Sequence, residues 1–135
     1  KGCAGNDING IGCVYQLPSY SPIKAGSDEM DKYDPKWNTT SWKGSDNYWA
    51  GAKKACDDIG MSLPDKSKLK IIIKKNISDK LGFDGMSWFW SSSERGKFDA
   101  YGVYSNAGER ISGKGHNAPG AWDSYGAGSV LCVGD

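Results

Sequence analysis

Apolar residues in the middle of the chain recur at helical spacing. After Asp46, four of them stand three or four residues apart: Trp49, Ala52, Cys56 and Ile59. This spacing predicts an amphipathic helix with Cys56 on its buried face. Ser45 or Asp46 can cap the first turn, and Gly60 follows as a stop signal.

A second helical pattern follows an extended link at residues 61–65. Asp65 can cap it, and its inward positions are Leu69, Ile72, Ile73 and, towards the end, Ile77. The outward positions are lysines, namely Lys66, Lys68, Lys70, Lys74 and Lys75. A solvated helix face explains these lysines better than a patch for an anionic ligand.

Beyond Leu81 the apolar period falls towards two, which is typical of strands. Four strand-sized pieces, SWFWSSS, AYGVYSN, ERISG and SVLCVGD, are separated by Gly, Ser and Asn turns. One more strand is predicted at residues 11–15, and residues 18–45 are predicted to be loop. The pattern indicates one α+β domain over residues 1–135, with two helices packed on a twisted antiparallel sheet with long loops.

The first of these pieces begins the aromatic run SWFWSSSE at residues 87–94. Alternate side chains of a strand face opposite ways, so Trp88 and Trp90 share one face and Phe89 takes the other. Burial on both faces is the favoured interpretation, and a ligand platform is the alternative.

The four cysteines are Cys3, Cys13, Cys56 and Cys132, with no C-x-x-C pair and one histidine in the chain. A zinc site is therefore poorly supplied with ligands, and disulfides are the better interpretation. Of the three pairings we favour Cys3 with Cys13, which closes a glycine-rich loop, and Cys56 with Cys132, which ties a helix to the chain's end. Disulfides imply an oxidising compartment, so an extracellular or cell-surface location is expected.

The charge balance and composition of the chain limit the classes of partner that it is expected to bind. Lys and Arg number 17 and Asp and Glu 16, so no global field favours nucleic acid or an acidic membrane. No apolar run approaches the roughly 20 residues of a membrane-spanning helix. With 19 Gly, 6 Trp and 7 Tyr, the composition favours a loop-rich binding surface. The chain opens at Lys1 without a signal peptide, so a mature protein or an excised ectodomain is expected.

Several motifs stand in a characteristic order. A helix with A-x-x-A-C-x-x-x-G, from Ala52 to Gly60, precedes SLPDKSKL and then WFWSSSE, AYGVYSNAG and VLCV. Over about residues 48–133 this order resembles bacterial C-type-lectin-like domains, particularly the family named for the C-terminal domain of a collagen-like adhesin. The resemblance implies a disulfide between first helix and last strand, here Cys56 with Cys132. Similar domains occur in pilin-like proteins and in retroelement-diversified receptor-binding proteins.

The chain departs from that family where Asp65 and Lys68 replace a Thr and a Glu, so the Asp cap survives but the reciprocal capping box is lost. It also lacks the EPN or QPD motif and the WND triplet through which animal C-type lectins hold calcium and sugar. Asp28, Glu29, Asp31 and Asp34 do not follow a calcium-loop pattern and are interpreted as a solvated acidic loop. No metal and no cofactor is predicted.

Catalysis has little support in the sequence. The chain has one histidine, no Gly-x-Ser-x-Gly motif and no phosphate-binding loop, so it is not predicted to be an enzyme. A paired-carboxylate hydrolase stays open through Asp84, Glu94, Asp99 and Glu109, whose separations sequence does not give. Glu94 is instead predicted to be a loop charge or a partner of Arg95 or Arg110.

A 17-residue tract at residues 112–128, SGKGHNAPGAWDSYGAG, has no periodicity, and such long loops are usually functional or disordered. The predicted ligand-binding residues are Arg110, His116, Asn117, Trp122, Asp123 and Tyr125, with Trp122 and Tyr125 stacking on a sugar or an apolar side chain. Trp37 and Trp42 either extend this surface or pin the earlier loop to the core. The chain is therefore predicted to be an extracellular, non-catalytic ligand-binding domain of an adhesin or receptor-binding protein, recognising a glycan or a protein.

The alternative is a structural role as the globular C-terminal domain of a type IV pilin-like filament subunit. Its aromatic loops would then pack against neighbouring subunits, and a hydrophobic N-terminal helix of about 20 residues would precede the chain in the gene product. The two roles coexist in a tip adhesin. Neither hypothesis involves nucleic acid or membrane contact by the domain itself.

Overall fold

The computed structural model describes residues 3, 5–75, 88–115 and 128–134, and the elements below belong to those residues. The strands are β1 (Asn6–Ile8), β2 (Gly12–Gln16), β3 (Trp88–Glu94), β4 (Asp99–Tyr104), β5 (Glu109–Gly113), β6 (Gly128–Ser129) and β7 (Leu131–Gly134). The helices are α1 (Glu29–Tyr33), a 3-10 helix (Pro35–Thr39), α2 (Tyr48–Asp58) and α3 (Lys66–Lys74). This mixture belongs to the predicted α+β class. None of these helices is long and apolar enough to cross a membrane.

The strands form two sheets where the sequence predicted one, and the predicted antiparallel pairing is confirmed for every strand pair except β3 with β6. One sheet has the order β1-β2-β7, and the other has the order β5-β4-β3-β6 with β6 parallel to β3. The last apolar piece of the chain is divided between them at Val130. Val130 itself belongs to neither strand; its side chain is buried, and its carbonyl accepts a hydrogen bond from Leu17 N at 3.0 Å.

Helix α2 lies where the apolar spacing predicted it, but its ends differ from the prediction. Its cap is Asn47, whose Oδ1 accepts from Ala50 N at 2.9 Å, and not Ser45 or Asp46. Gly60 adopts φ +75° and reverses the chain after the helix, as expected of a stop. Ile59 was predicted to be buried but is 46% exposed, because the helix has already ended at Asp58.

Helix α3 confirms its prediction more closely. The Asp65 carboxylate accepts from Lys68 N at 2.8 Å and so caps the first turn. Leu69, Ile72 and Ile73 are buried. Ile77 lies outside the described residues.

Residues 18–45 were predicted to be loop, yet they contain α1 and the 3-10 helix. These elements are one or two turns long, too short to show a period in the sequence. They enclose a small core in which Met30 and Trp37 pack with Ile23 and with Ala50 of α2. This segment is therefore attached to the domain by buried apolar surface.

The aromatic run of β3 is buried on both of its faces, as predicted. Trp88 and Trp90 pack with Trp49 and Cys56 of α2, and their ring centroids are 4.9 Å apart at an interplanar angle of 70°. Phe89 points the other way, into a cluster with the apolar residues of α3, β2 and β7. The sheet is thus a layer between two apolar regions.

Both disulfides have the favoured pairing. Cys3 is bonded to Cys13, and Cys56 of α2 is bonded to Cys132 of β7. The second bridge links α2 to the three-stranded sheet, while Trp88 and Trp90 link α2 to the other sheet. Helix α2 is therefore the element that joins the two sheets.

Gly102 of β4 is required by the Trp88 indole, which lies directly on it. A methyl group at this position would stand 2.6 Å from Trp88 Cε3. We expect Gly102→Ala to lower the free energy of unfolding by roughly 1–3 kcal/mol, the usual cost of overpacking. Urea denaturation measures it. Gly113→Ala in β5 is the matched control, because within the described residues no atom beyond its two chain neighbours lies within 4 Å of the point that its added methyl group would occupy; equal losses in the two variants would contradict this account.

Candidate functional site

A lysine ammonium is buried at the start of the non-periodic tract. Lys114 has no exposed side-chain surface, and its Nζ lies 2.7 Å from Glu94 Oε2 and 3.1 Å from Asp34 Oδ2. The same nitrogen lies 4.4 Å from the ring centroid of Trp49. A buried charge is tolerated only when it is paired, and here two carboxylates and an aromatic face meet it.

The backbone of Lys114 is held as firmly as its side chain. Its carbonyl accepts from Tyr48 N at 2.7 Å, at the first turn of α2, and its N–H donates to Phe98 O at 2.8 Å. Both main-chain polar groups of Lys114 are thus satisfied inside the protein. The end of β5 is thereby attached to the start of α2.

Asp34 comes from the segment that the sequence analysis interpreted as a solvated acidic loop. That interpretation was wrong for Asp34, which is 2% exposed, whereas Asp28, Glu29 and Asp31 are exposed. Asp34 Oδ2 also accepts from Asn47 Nδ2 at 2.9 Å. Since Asn47 caps α2 with its other side-chain atom, one amide connects the buried carboxylate to the helix terminus.

Glu94 ends β3 and completes the network. It is paired with Lys114 and with Lys36 Nζ at 3.1 Å, and not with Arg95 or Arg110 as the sequence analysis expected. Burial raises the pKa of Glu94, but the hydrogen bonds from Lys114 and Lys36 outweigh it and hold this pKa below its ordinary value. Glu94 is therefore ionised near neutral pH.

A second lysine approaches the Trp49 ring. Lys53 Nζ lies 4.1 Å from the ring centroid and donates to Tyr33 O at 2.8 Å. Burial lowers the pKa of Lys53, and the carboxylates of Asp34 and Glu94 partly offset that effect. The cluster of Asp34, Glu94, Lys53 and Lys114 around Trp49 is called the ionic cluster below.

The ionic cluster adjoins one end of the tract, and a strand holds the other end. Gly128 and Ser129 form β6, whose register pairs them with Trp88 and Phe89 of β3. The predicted ligand-binding residues between these anchors lie outside the described residues: His116, Asn117, Trp122, Asp123 and Tyr125. Their role stays a prediction, but the structure describes the anchoring residues on both sides of them, Lys114 and β6.

Arg110 is the one predicted ligand-binding residue that the structure describes. Its guanidinium carbon lies 4.3 Å from the Trp88 ring centroid and 5.7 Å from that of Tyr104. Such stacking is favourable for Arg. Because Trp88 also pairs with Gly128, the Arg110 side chain is one residue away from the second anchor of the tract.

The two tryptophans of the earlier segment have different roles. Trp37 is buried, and its Nε1 donates to Ser45 O at 3.0 Å, so it pins the segment to the core. Trp42 is 58% exposed and is available as contact surface.

The three described carboxylates considered for hydrolysis are each paired with cations. Glu94 is paired with Lys114 and Lys36, Asp99 with Arg95, and Glu109 with Lys66 and Lys70. The pKa of Glu109 is lowered by its hydrogen bond to Lys70, and that of Glu94 is also low. A general acid requires the opposite shift. The fourth carboxylate considered, Asp84, lies outside the described residues. Among the described residues, no group of His, Cys, Asp and Glu side chains could hold a metal ion.

Sequence reasoning missed the ionic cluster. Lys114 stands in the tract between two glycines, and Asp34 stands among other acidic residues, so neither has a local pattern that marks burial. The sequence does contain a weak signal of local structure beside Asp34: Pro35, which begins the 3-10 helix.

Comparisons with protein-family models, with curated proteins and with solved structures give no match to this chain. The geometry of the described residues is therefore the basis for the functional argument.

Removal of the buried ammonium is expected to destabilise the fold strongly. Lys114→Met keeps much of the side-chain volume but leaves Asp34 buried beside Asn47 without its cation. We expect a loss of roughly 3–5 kcal/mol in the free energy of unfolding, as for other broken buried ion pairs. Lys54→Met is the control, since Lys54 forms an exposed pair with Asp58 at 2.8 Å and such pairs contribute about 1 kcal/mol or less. Urea denaturation of both variants tests this, and similar losses would contradict it.

The ionised state of Glu94 predicts a pH dependence. Its folded-state pKa lies below the ordinary value of 4.5, so its carboxylate stabilises the fold above that pH. This contribution is lost as the pH falls through the folded-state pKa. The difference in unfolding free energy between wild type and Glu94→Gln should be greatest near pH 7 and shrink towards pH 3. A difference that stays constant over this range would count against the assignment.

Proposed function

We propose that this chain is an extracellular, non-catalytic ligand-binding domain of an adhesin or receptor-binding protein, with a C-type-lectin-like fold. It presents residues 116–127 to a glycan or a protein. The observation that carries the proposal is the anchoring of both ends of this tract, at the fully buried Lys114 on one side and at the pairing of β6 with β3 on the other.

Anchored ends favour binding because they reduce the conformational entropy that the loop loses when it meets a partner. The tract itself contains Trp122, Tyr125, glycines, serines and asparagine. Rigid aromatic side chains with adaptable polar neighbours are the composition of antibody binding loops. In this proposal Trp122 and Tyr125 provide stacking area, and Arg110, His116, Asn117 and Asp123 orient the ligand.

The C-type-lectin-like assignment is supported by the disulfide between α2 and the last strand, which the family resemblance implies. The packing of α2 and α3 on short, mostly antiparallel strands also agrees with it. The same two disulfides are compatible with an oxidising compartment and so support an extracellular location.

A binding role is favoured over hydrolysis by the state of the described carboxylates. Glu94, Asp99 and Glu109 are all engaged by lysine or arginine. A hydrolase acting through two carboxyl groups needs one of them protonated near neutral pH. The low pKa values of Glu94 and Glu109 leave these residues ionised at rest, so neither is the protonated acid that such a hydrolase needs near neutral pH.

The test is binding of the purified domain to a glycan array and a host-protein array. We expect specific binding by wild type and its loss, at least tenfold in apparent affinity, in a Trp122→Ala, Tyr125→Ala double variant. The matched control is an Ile71→Ala, Phe98→Ala double variant, which also removes two exposed apolar side chains, 47% and 45% exposed. Circular dichroism and thermal melting check that each variant folds.

Equal loss of binding in both double variants would place the contact outside the tract and contradict the proposed site. A folded wild-type domain that binds nothing on either array would contradict the proposed function and favour the filament-subunit alternative. Retained binding in the Trp122, Tyr125 variant would show that the ligand uses another surface.

A further inference from the structure

We propose that Lys114 and Asp34 become joined by an intramolecular isopeptide bond, with Glu94 as the group that transfers the proton. The proposal rests on the buried arrangement of an amine, an acceptor carboxyl and a third carboxylate, and it does not depend on ligand binding. It assigns a covalent modification to a fold whose disulfides are its other crosslinks among the described residues.

The reacting side chains already form an ion pair. Lys114 Nζ is 3.1 Å from Asp34 Oδ2, and the carboxyl carbon Cγ is one bond beyond that oxygen. A near-attack geometry needs roughly 3–3.5 Å between Nζ and Cγ, so the amine has to move from its ion pair with Oδ2 towards the carboxyl carbon. Glu94 Oε2 is 2.7 Å from the same nitrogen, within reach of its proton. One amine thus faces an electrophile and a base together.

Burial distinguishes this pair from the other ion pairs of the described residues. The side chains of Lys114 and Asp34 are 0% and 2% exposed. By contrast, the side chains in the Lys54–Asp58 pair are 30% and 54% exposed, and those of Lys70 and Glu109 are 31% and 34% exposed. Water competes for the exposed pairs and favours the free acid and amine, whereas the Trp49 ring and the protein interior exclude water around Lys114.

The reaction is a balanced condensation. Lys114 Nζ passes a proton to Glu94, and its lone pair attacks Asp34 Cγ to form the N–C bond. A C–O bond of the Asp34 carboxyl then breaks, and the departing oxygen takes the two protons that Nζ loses, one of them delivered by Glu94. The products are one amide and one water molecule. Glu94 returns to its carboxylate form, and nothing is oxidised or reduced.

The surroundings assist both the attack and the product. Asn47 Nδ2 donates to Asp34 Oδ2 at 2.9 Å, where negative charge develops during the attack. Fixed placement of the two reactants replaces a bimolecular encounter, an advantage of about 10⁵–10⁸ M in effective concentration. The product amide removes two charges from the interior and with them the desolvation cost of a buried ion pair.

The bond would join two segments at the base of the tract. Asp34 stands between α1 and the 3-10 helix, and Lys114 follows β5. Local opening of this base would then require more than the separation of an ion pair. Lys114, near the start of the tract, would then be held covalently, and the base of the tract would resist force and proteolysis.

The decisive measurement is the intact mass of the full-length purified chain under reducing and denaturing conditions. We expect a mass lower than that of the sequence by one water molecule. Trypsin should release a branched peptide of residues 33–36 and 111–135, because cleavage after an acylated Lys114 is blocked. Tandem mass spectrometry locates the linkage at Asp34 and Lys114. A wild-type chain with the full sequence mass would overturn the proposal.

Variants separate the linkage from other losses of water, such as cyclisation at the Asp84-Gly85 dipeptide. Lys114→Arg keeps the charge and should have its full sequence mass. Glu94→Gln keeps both reacting groups and should also have full mass when folded. Asp34→Asn should lose one ammonia instead of one water, and Glu109→Gln, the control, should keep the wild-type water loss. Persistence of that loss in Lys114→Arg would overturn the assignment.

Discussion

The buried ammonium of Lys114 imposes the strongest constraint on this structure. A charge without exposed surface is tolerated only among counter-charges and hydrogen-bond acceptors, because its desolvation costs several kcal/mol. The carboxylates of Asp34 and Glu94 therefore have to lie beside the ammonium, and the Trp49 ring covers it. These groups belong to four separate parts of the chain, so satisfying one charge fixes the relative positions of the 3-10 helix, α2, β3 and the end of β5.

Helix α2 connects this buried ionic cluster to the apolar core. Its cap, Asn47, contacts Asp34, while Trp49 packs with Trp88 and Trp90 and donates from Nε1 to Ser91 O at 2.8 Å. Further along the same helix, Cys56 is bonded to Cys132 of the other sheet. A polar cluster, an aromatic layer and a disulfide thus follow one another along a single helix. Movement of α2 would disturb all three.

This arrangement separates the scaffold from the surface proposed to bind. Lys114 is paired with Asp34 and Glu94 in the interior, and Arg110 lies against the Trp88 ring. A scaffold with its own apolar core and paired charges can carry a loop of variable composition at little cost to its stability, which is the physical reason that loops often hold function.

Local patterns in the sequence determined the positions of α2 and α3, the Asp65 cap, the strand-sized pieces and the burial of Trp88, Phe89 and Trp90 on opposite faces. Side-chain periodicity and capping act over a few residues, so a single sequence contains them. Only the tertiary structure decided that the last apolar piece divides between two sheets at Val130 and that Asp34, Glu94 and Lys114 meet in the interior. Those outcomes depend on partners 20 or more residues away, and the spacing of residues along a chain does not state which distant side chain will satisfy a buried charge.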